Sequence, residues 1–115
     1  MANDPIKVTV ETLEGATVVS PEGEIDLSCS AHLRSKLQEA VSAGPKRIVV
    51  DLNGVGYMDS SGIATLVEAL QMARRDEASL VICSLTERVK SIIELARLDQ
   101  IFEIAVDRDA ALVGT

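Results

Sequence analysis

Arg47-Ile48-Val49-Val50-Asp51-Leu52, followed closely by Met58-Asp59-Ser60-Ser61-Gly62-Ile63, is the stretch that decides the fold. Its first half is a compact β-branched run bounded by Pro45 and Gly54, the pattern of a central strand covered on both faces. From the end of its second half, Ile63, Leu66, Val67 and Leu70 recur at i, i+3, i+4 and i+7, with Glu68, Gln71 and Arg75 off the stripe. That is an amphipathic helix. The strand feeds the helix through Asp-Ser-Ser-Gly, so two hydroxyls and a carboxylate stand at a helix N-terminus. A Ser there caps the helix, or, once phosphorylated, sets a nearly dianionic group beside backbone N–H donors. The residues alone leave both readings open for Ser60.

Working outward, Ile6, Val8 and Val10 alternate with Lys7, Thr9 and Glu11, and Glu14-Gly15 offers a turn into Ala16-Thr17-Val18-Val19. This predicts an N-terminal antiparallel hairpin. After Gly23-Glu24-Ile25-Asp26, Ser28 and Ser30 start a helix whose apolar positions are Leu33, Leu37, Ala40 and Val41, and Gly44-Pro45 stops it. Leu80-Val81-Ile82-Cys83 predicts another buried strand. Ser84-Leu85-Thr86-Glu87 matches a capping box ahead of Val89, Ile92, Ile93 and Ala96. Ile101-Phe102-Glu103-Ile104 closes the sheet, and Asp107 to Val113 holds a short last helix. The expectation is one α/β domain over residues 1–115, with an N-terminal hairpin, a mixed sheet of four to five strands and three to four helices. Asp59-Ser60 would then lie at the carboxyl end of a strand, where open α/β sheets place their sites.

Composition removes several classes of function. Tyr57 and Phe102 are the only aromatic residues, so the core is built from Val, Ile, Leu and Ala and offers no aromatic platform to a ligand. The formal net charge is -7, and the 11 Lys and Arg residues are dispersed. Direct nucleic-acid binding, which rests on clustered cations, is not expected. No apolar run approaches the roughly 18 residues that span a bilayer, so no direct membrane contact is expected. Cys29 and Cys83 are far apart and no secretory apolar segment opens the chain, which predicts free thiols and a cytoplasmic location.

His32 stands alone in a helix, without Cys or carboxylates at ligand spacing, so no metal is expected and no cofactor either. Gly54-Val55-Gly56 is not a phosphate loop, because Asp59 stands where a third glycine is needed and no Lys-Ser/Thr follows. Ser60, His32 and Asp26 can be drawn as a nucleophilic triad. The chain lacks a Gly-x-Ser-x-Gly elbow and offers little to enclose a substrate, so it reads as no enzyme. Cys29, near a helix start, is a reactive thiol or a small core residue. Ser61 supports the turn or the cap, and Gly62 permits close backbone approach or merely starts a helix. Asp59 orients the Ser60 hydroxyl or complements the helix dipole. Glu24 and Asp26 line a partner face or are ordinary acidic loop residues.

Taken in order, Gly23-Glu24-Ile25-Asp26, Val50-Asp51-Leu52, Met58-Asp59-Ser60-Ser61-Gly62 and Leu98-Asp99-Gln100-Ile101-Phe102 resemble the sulfate-transporter and anti-sigma-factor-antagonist (STAS) domain in its small bacterial single-domain form. The resemblance covers nearly the whole chain. It implies that Ser60 is the phosphorylation site and that Glu24, Asp26, Asp59, Ser60, Ser61, Gly62 and Ile63 form the partner-binding surface. The implied partners are an anti-sigma factor with serine kinase activity, bound by the unmodified form to free a sigma factor, and a metal-dependent serine/threonine phosphatase that resets Ser60. The same family includes accessory subunits of ABC-type lipid-transport complexes and parts of stress-sensing assemblies, which is the alternative. Ile63-Ala64 departs from the family's frequent Leu-Gly after the motif glycine. Ala in place of Gly favours helix there and leaves the acceptor hydroxyl intact.

Overall fold

The computed structural model describes residues 6–113, which form six strands and four α-helices. The hairpin is β1 (Lys7–Leu13) and β2 (Ala16–Ile25), antiparallel through a turn in which Gly15 takes a positive φ of 80° that a side chain would resist. Then come α1 (Ser30–Ser42), β3 (Arg47–Asp51), β4 (Gly54–Met58), α2 (Ser60–Arg75) and β5 (Ser79–Cys83). The chain continues through α3 (Glu87–Leu95), a single 3-10 turn at Leu98–Gln100, β6 (Glu103–Ala105) and α4 (Arg108–Leu112). The terminal residues of the expected 1–115 domain lie outside the described residues.

The α/β class, the hairpin and the helices agree with the sequence reading, and the sheet holds one strand more than the four to five expected. The strand order is β1-β2-β3-β5-β6, with β4 paired to β2 alone. The first half of β2 runs parallel to β3, from Ala16↔Arg47 to Val19↔Val50, and its second half runs parallel to β4, ending at Ile25↔Met58. Within the β4 pairing the register shifts between Glu22 and Glu24, where β4 carries one residue more than β2, and Gly23 there takes a φ of 121° that excludes most side chains. The unexpected strand is β4. Gly54 and Gly56 interrupt the strand signal of Val55 and Tyr57, and pairing with β2 fixes the segment as a strand.

Both faces of β3 and β5 are buried, which explains their uninterrupted apolar runs. Val19, Ile48, Val50 and Ile82 point to the larger core with Leu33 and Leu37 of α1, Leu66 and Leu70 of α2, and Val89 and Ile93 of α3. Val18, Val49, Val81 and Cys83 point the other way, beneath Ala111 of α4. Cys29 and Cys83 are buried free thiols, and desolvation pushes the Cys83 thiol up. The short α4 is fixed by Arg108, whose guanidinium donates to Glu11 at 2.9 Å and lies 3.6 Å from Asp51.

Three local readings are corrected. α1 begins at Ser30 with Cys29 at the N-cap and no side-chain cap, so Ser28 stands before the helix. α3 is capped by Thr86, whose hydroxyl accepts from the Val89 amide; Glu87 is therefore the first helical residue rather than the third, and Ser84 lies outside in a left-handed conformation. The Thr86 hydroxyl also donates to the Val55 carbonyl at 3.0 Å, tying α3 to β4. The last strand is Glu103–Ala105, because Ile101 and Phe102 finish the preceding turn.

Candidate functional site

Two strand–helix junctions meet at the carboxyl ends of β2 and β4. The parallel register pairs Ile25 with Met58, and the Asp59 amide donates to the Ile25 carbonyl at 3.0 Å. The next residues, Asp26-Leu27-Ser28 and Asp59-Ser60-Ser61, therefore leave the sheet from adjacent strands in matched positions. Glu24 sits opposite Tyr57 in the same register. The structure thus brings Glu24, Asp26, Asp59, Ser60, Ser61, Gly62 and Ile63 to one end of the sheet.

Asp59, and not Ser60, is the N-cap of α2. Its Oδ1 accepts from the amides of Ser61 at 2.9 Å and Gly62 at 3.3 Å, and from the Ser61 hydroxyl at 2.6 Å. A carboxylate reaches these donors from the extended cap position, so the capping role considered for Ser60 belongs to its neighbour. The hydrogen bond from the Ser61 hydroxyl is the first cause that lowers the pKa of Asp59; desolvation opposes it, and the Gly62 and Ser61 amides assist it. Asp59 orients Ser61, and no hydrogen bond joins it to the Ser60 hydroxyl among the described residues.

Ser60 is exposed as the first residue of α2, and its hydroxyl has no hydrogen-bond partner among the described residues. Its geometry changes the electrostatics expected of a phosphate there. Two amides of the helix start that would receive an anion already bind Asp59. A phosphate on Ser60 would thus lie beside a carboxylate, directed to solvent and to whatever touches this face.

Gly62 is buried and necessary. A Cβ on it would stand 2.9 Å from Cγ2 of Ile25, 3.0 Å from Cβ of Met58 and 3.2 Å from the Ile25 carbonyl oxygen. Close approach of α2 to the ends of β2 and β4 is the reason for a glycine. Ile63 is half-buried against the larger core, so only part of it reaches the surface.

At the other junction, Asp26 Oδ1 accepts from the Ser28 amide at 2.9 Å and the Ser28 hydroxyl at 2.6 Å, the same device as Asp59 with Ser61. Asp26 does not cap α1; its backbone carbonyl accepts from the Cys29 and Ser30 amides. Leu27, between them, is 78% exposed, a feature the sequence reading passed over. The repeated Asp-x-Ser spacing was the available signal. Arg88 stacks over Tyr57 at 4.8 Å on the flank of the site, a contact made visible only by the fold.

Among the described residues, no group of three or more His, Cys, Asp or Glu side chains is arranged to hold a metal ion, and His32 is half-buried on α1. No hydrogen bond links Ser60 to His32 or Asp26 among the described residues. No helix among the described residues is long and apolar enough to cross a membrane.

A family model described as the STAS domain matches residues 7–111. The chain is 33% identical over 115 residues to the anti-sigma-F factor antagonist RsfB of Mycobacterium tuberculosis, covering 98% of this chain and 92% of that one. It is 29% identical over 107 residues to the anti-sigma-B factor antagonist of Bacillus subtilis, covering 93% and 97% of the two chains. The crystal structure of an anti-sigma factor antagonist from Mycobacterium paratuberculosis superposes with a TM-score of 0.87 at 28% identity, over 96% of this chain and 94% of that one.

Proposed function

The chain belongs to the STAS domain family, and from that premise we propose that it is an anti-sigma factor antagonist whose binding is switched at Ser60. In its unmodified form it binds an anti-sigma factor that is also a serine kinase, and a sigma factor is released. The kinase then transfers the γ-phosphoryl group of ATP to the Ser60 hydroxyl oxygen, leaving ADP, and the phosphorylated form no longer binds. A metal-dependent serine/threonine phosphatase hydrolyses the phosphate and restores the binding form. The chain is a regulator and a kinase substrate, acting in the cytoplasm where sigma factors meet RNA polymerase.

One observation carries the reading: an exposed Ser60 hydroxyl, free of hydrogen bonds among the described residues, on a helix start whose neighbouring donors are already taken by Asp59. The fold tolerates a phosphate at such a place. An interface formed over it does not, because desolvating an unpaired charge costs several kcal/mol and about 1.4 kcal/mol is tenfold in affinity. The relatives with antagonist names, matched over nearly their whole length, favour this reading over an accessory subunit of a lipid-transport ATPase or stress-sensing complex.

Incubation with the anti-sigma factor kinase and ATP tests the site. Intact-mass spectrometry is expected to find one phosphate on the wild type and none on Ser60→Ala, which still binds the kinase. Undiminished phosphate on Ser60→Ala would refute the assignment.

A further inference from the structure

Leu27 holds, in the junction after β2, the position that Ser60 holds in the junction after β4. Each follows an Asp whose carboxylate ties down the amide and hydroxyl of the residue two further on. Each turn is thus held by its own carboxylate, the two leave the sheet from the paired positions Ile25 and Met58, and both middle residues are displayed to solvent. One displays a hydroxyl and the other an isobutyl group that is 78% exposed. Nothing in the packing of this chain uses that side chain, since Leu27 belongs to neither core cluster. The turn would form equally well around a polar residue, because it is made by Asp26 and Ser28.

The surroundings are acidic. Glu24, Asp26 and Asp59 form no ion pair among the described residues, although other carboxylates of the chain do. Arg88 is held over the ring of Tyr57, which sits opposite Glu24 in the register. An apolar side chain on a rigid turn, surrounded by unpaired carboxylates, is complementary to a protein surface with an apolar pocket rimmed by Lys or Arg. It is a poor match for nucleic acid or an anionic membrane, whose phosphates the carboxylates repel.

We propose that Leu27 is the apolar anchor by which the anti-sigma factor kinase docks on this chain, seated in a basic-rimmed pocket of that partner with Ser60 beside it. The inference rests on the proposed function and adds to it the residue that supplies affinity. Leu27 makes the contact that holds the unmodified form, and Ser60 decides whether the contact can close. Phosphate on Ser60 puts a bulky, strongly hydrated group next to the anchor, and that bulk and hydration hold the pocket off the Leu27 side chain even where the rim cations attract its charge.

The test uses the purified anti-sigma factor kinase of the same cell and four versions of the whole chain: wild type, Leu27→Ser, Leu27→Met and Leu95→Ser. Leu95 is an equally bare leucine, 86% exposed on α3, and serves as the control for exposed apolar area. Leu27→Ser is expected to weaken binding about tenfold, the scale of an interface anchor. In the phosphorylation assay it raises KM by a similar factor and leaves kcat within twofold, while its melting temperature equals that of the wild type. Leu27→Met and Leu95→Ser are expected to bind within twofold of the wild type. Binding by the wild type that falls with added salt supports the basic rim. Leu27→Ser binding within twofold of the wild type overturns the anchor and leaves the proposed function standing. Failure of the folded wild type to bind the kinase at all overturns the proposed function, and the anchor with it.

Discussion

The two junctions at the carboxyl end of the sheet are built from one local device and put to different structural uses. After β4, Asp59 is directly followed by α2, caps it, and locks Ser61, while Gly62 lets the helix settle against Ile25 and Met58. After β2, Asp26 makes the same bonds to Ser28, yet α1 starts only at Ser30 and has no side-chain cap. The first junction is welded to the core and the second is a turn standing on it. On the proposed reading, this mount lets a phosphate at Ser60 change the surface without changing the fold.

That contrast can be broken in steps. Gly62→Ala is expected to have the largest effect on stability, about 1–3 kcal/mol, because Met58 Cβ and the Ile25 carbonyl cannot yield as a side-chain tip can. Gly56→Ala, with nothing within 4 Å of the new Cβ, is the matched control and should change stability by less than about 0.5 kcal/mol. Urea titrations of both variants measure the difference, and equal costs would deny the special role of Gly62. Next, Asp59→Ala should lower the melting temperature by about 5 °C through loss of the helix cap. Asp26→Ala should lower it by about half as much, since it releases a turn on the surface and leaves the helix amides with their backbone partners. Calorimetric scans of the two variants give the order, and its reversal would mean that the junctions are mechanically equivalent.

The smallest effect concerns acid. The pKa of Asp59 is lower in the folded chain than in the unfolded one, so the unfolded chain takes up its proton first as pH falls. The stabilisation from this carboxylate is complete above the ordinary carboxylate range and is lost as pH falls through the lowered folded value. Asp59→Asn keeps a capping oxygen and removes the titration. Its stability curve between about pH 5 and pH 2 should be flatter than that of the wild type by the share of this one group, as followed by circular dichroism at fixed urea.

Much of this arrangement was legible in the chain. No alternation of apolar and polar residues was needed to find β3 and β5, because strands buried on both faces appear as continuous runs such as Ile48-Val49-Val50 and Val81-Ile82-Cys83. The α2 stripe and the Asp-Ser-Ser-Gly junction were equally plain. β4 was hidden because Gly54 and Gly56 interrupt the strand signal of Val55 and Tyr57, and the pairing with β2 is what fixes the segment as a strand. The assignment of the cap to Asp59 also needed coordinates, since Asp and Ser are equally good caps and adjacent in sequence. Leu27 was hidden for another reason: its exposure depends on how two distant turns emerge side by side from neighbouring strands, a consequence of the register between Ile25 and Met58.

The central claim is that one phosphate at Ser60 changes the surface of this rigid mount and not the fold beneath it. The direct measurement is the affinity of the anti-sigma factor kinase for unmodified and Ser60-phosphorylated chains at one salt concentration, with the melting temperature of each recorded alongside. The account predicts a loss of affinity of about a hundredfold or more on phosphorylation, from the lost anchor contact and the cost of stripping water from the phosphate, with the melting temperature nearly unchanged. Equal affinity of the two forms, or a lost affinity accompanied by a collapse of the melting temperature, would contradict it.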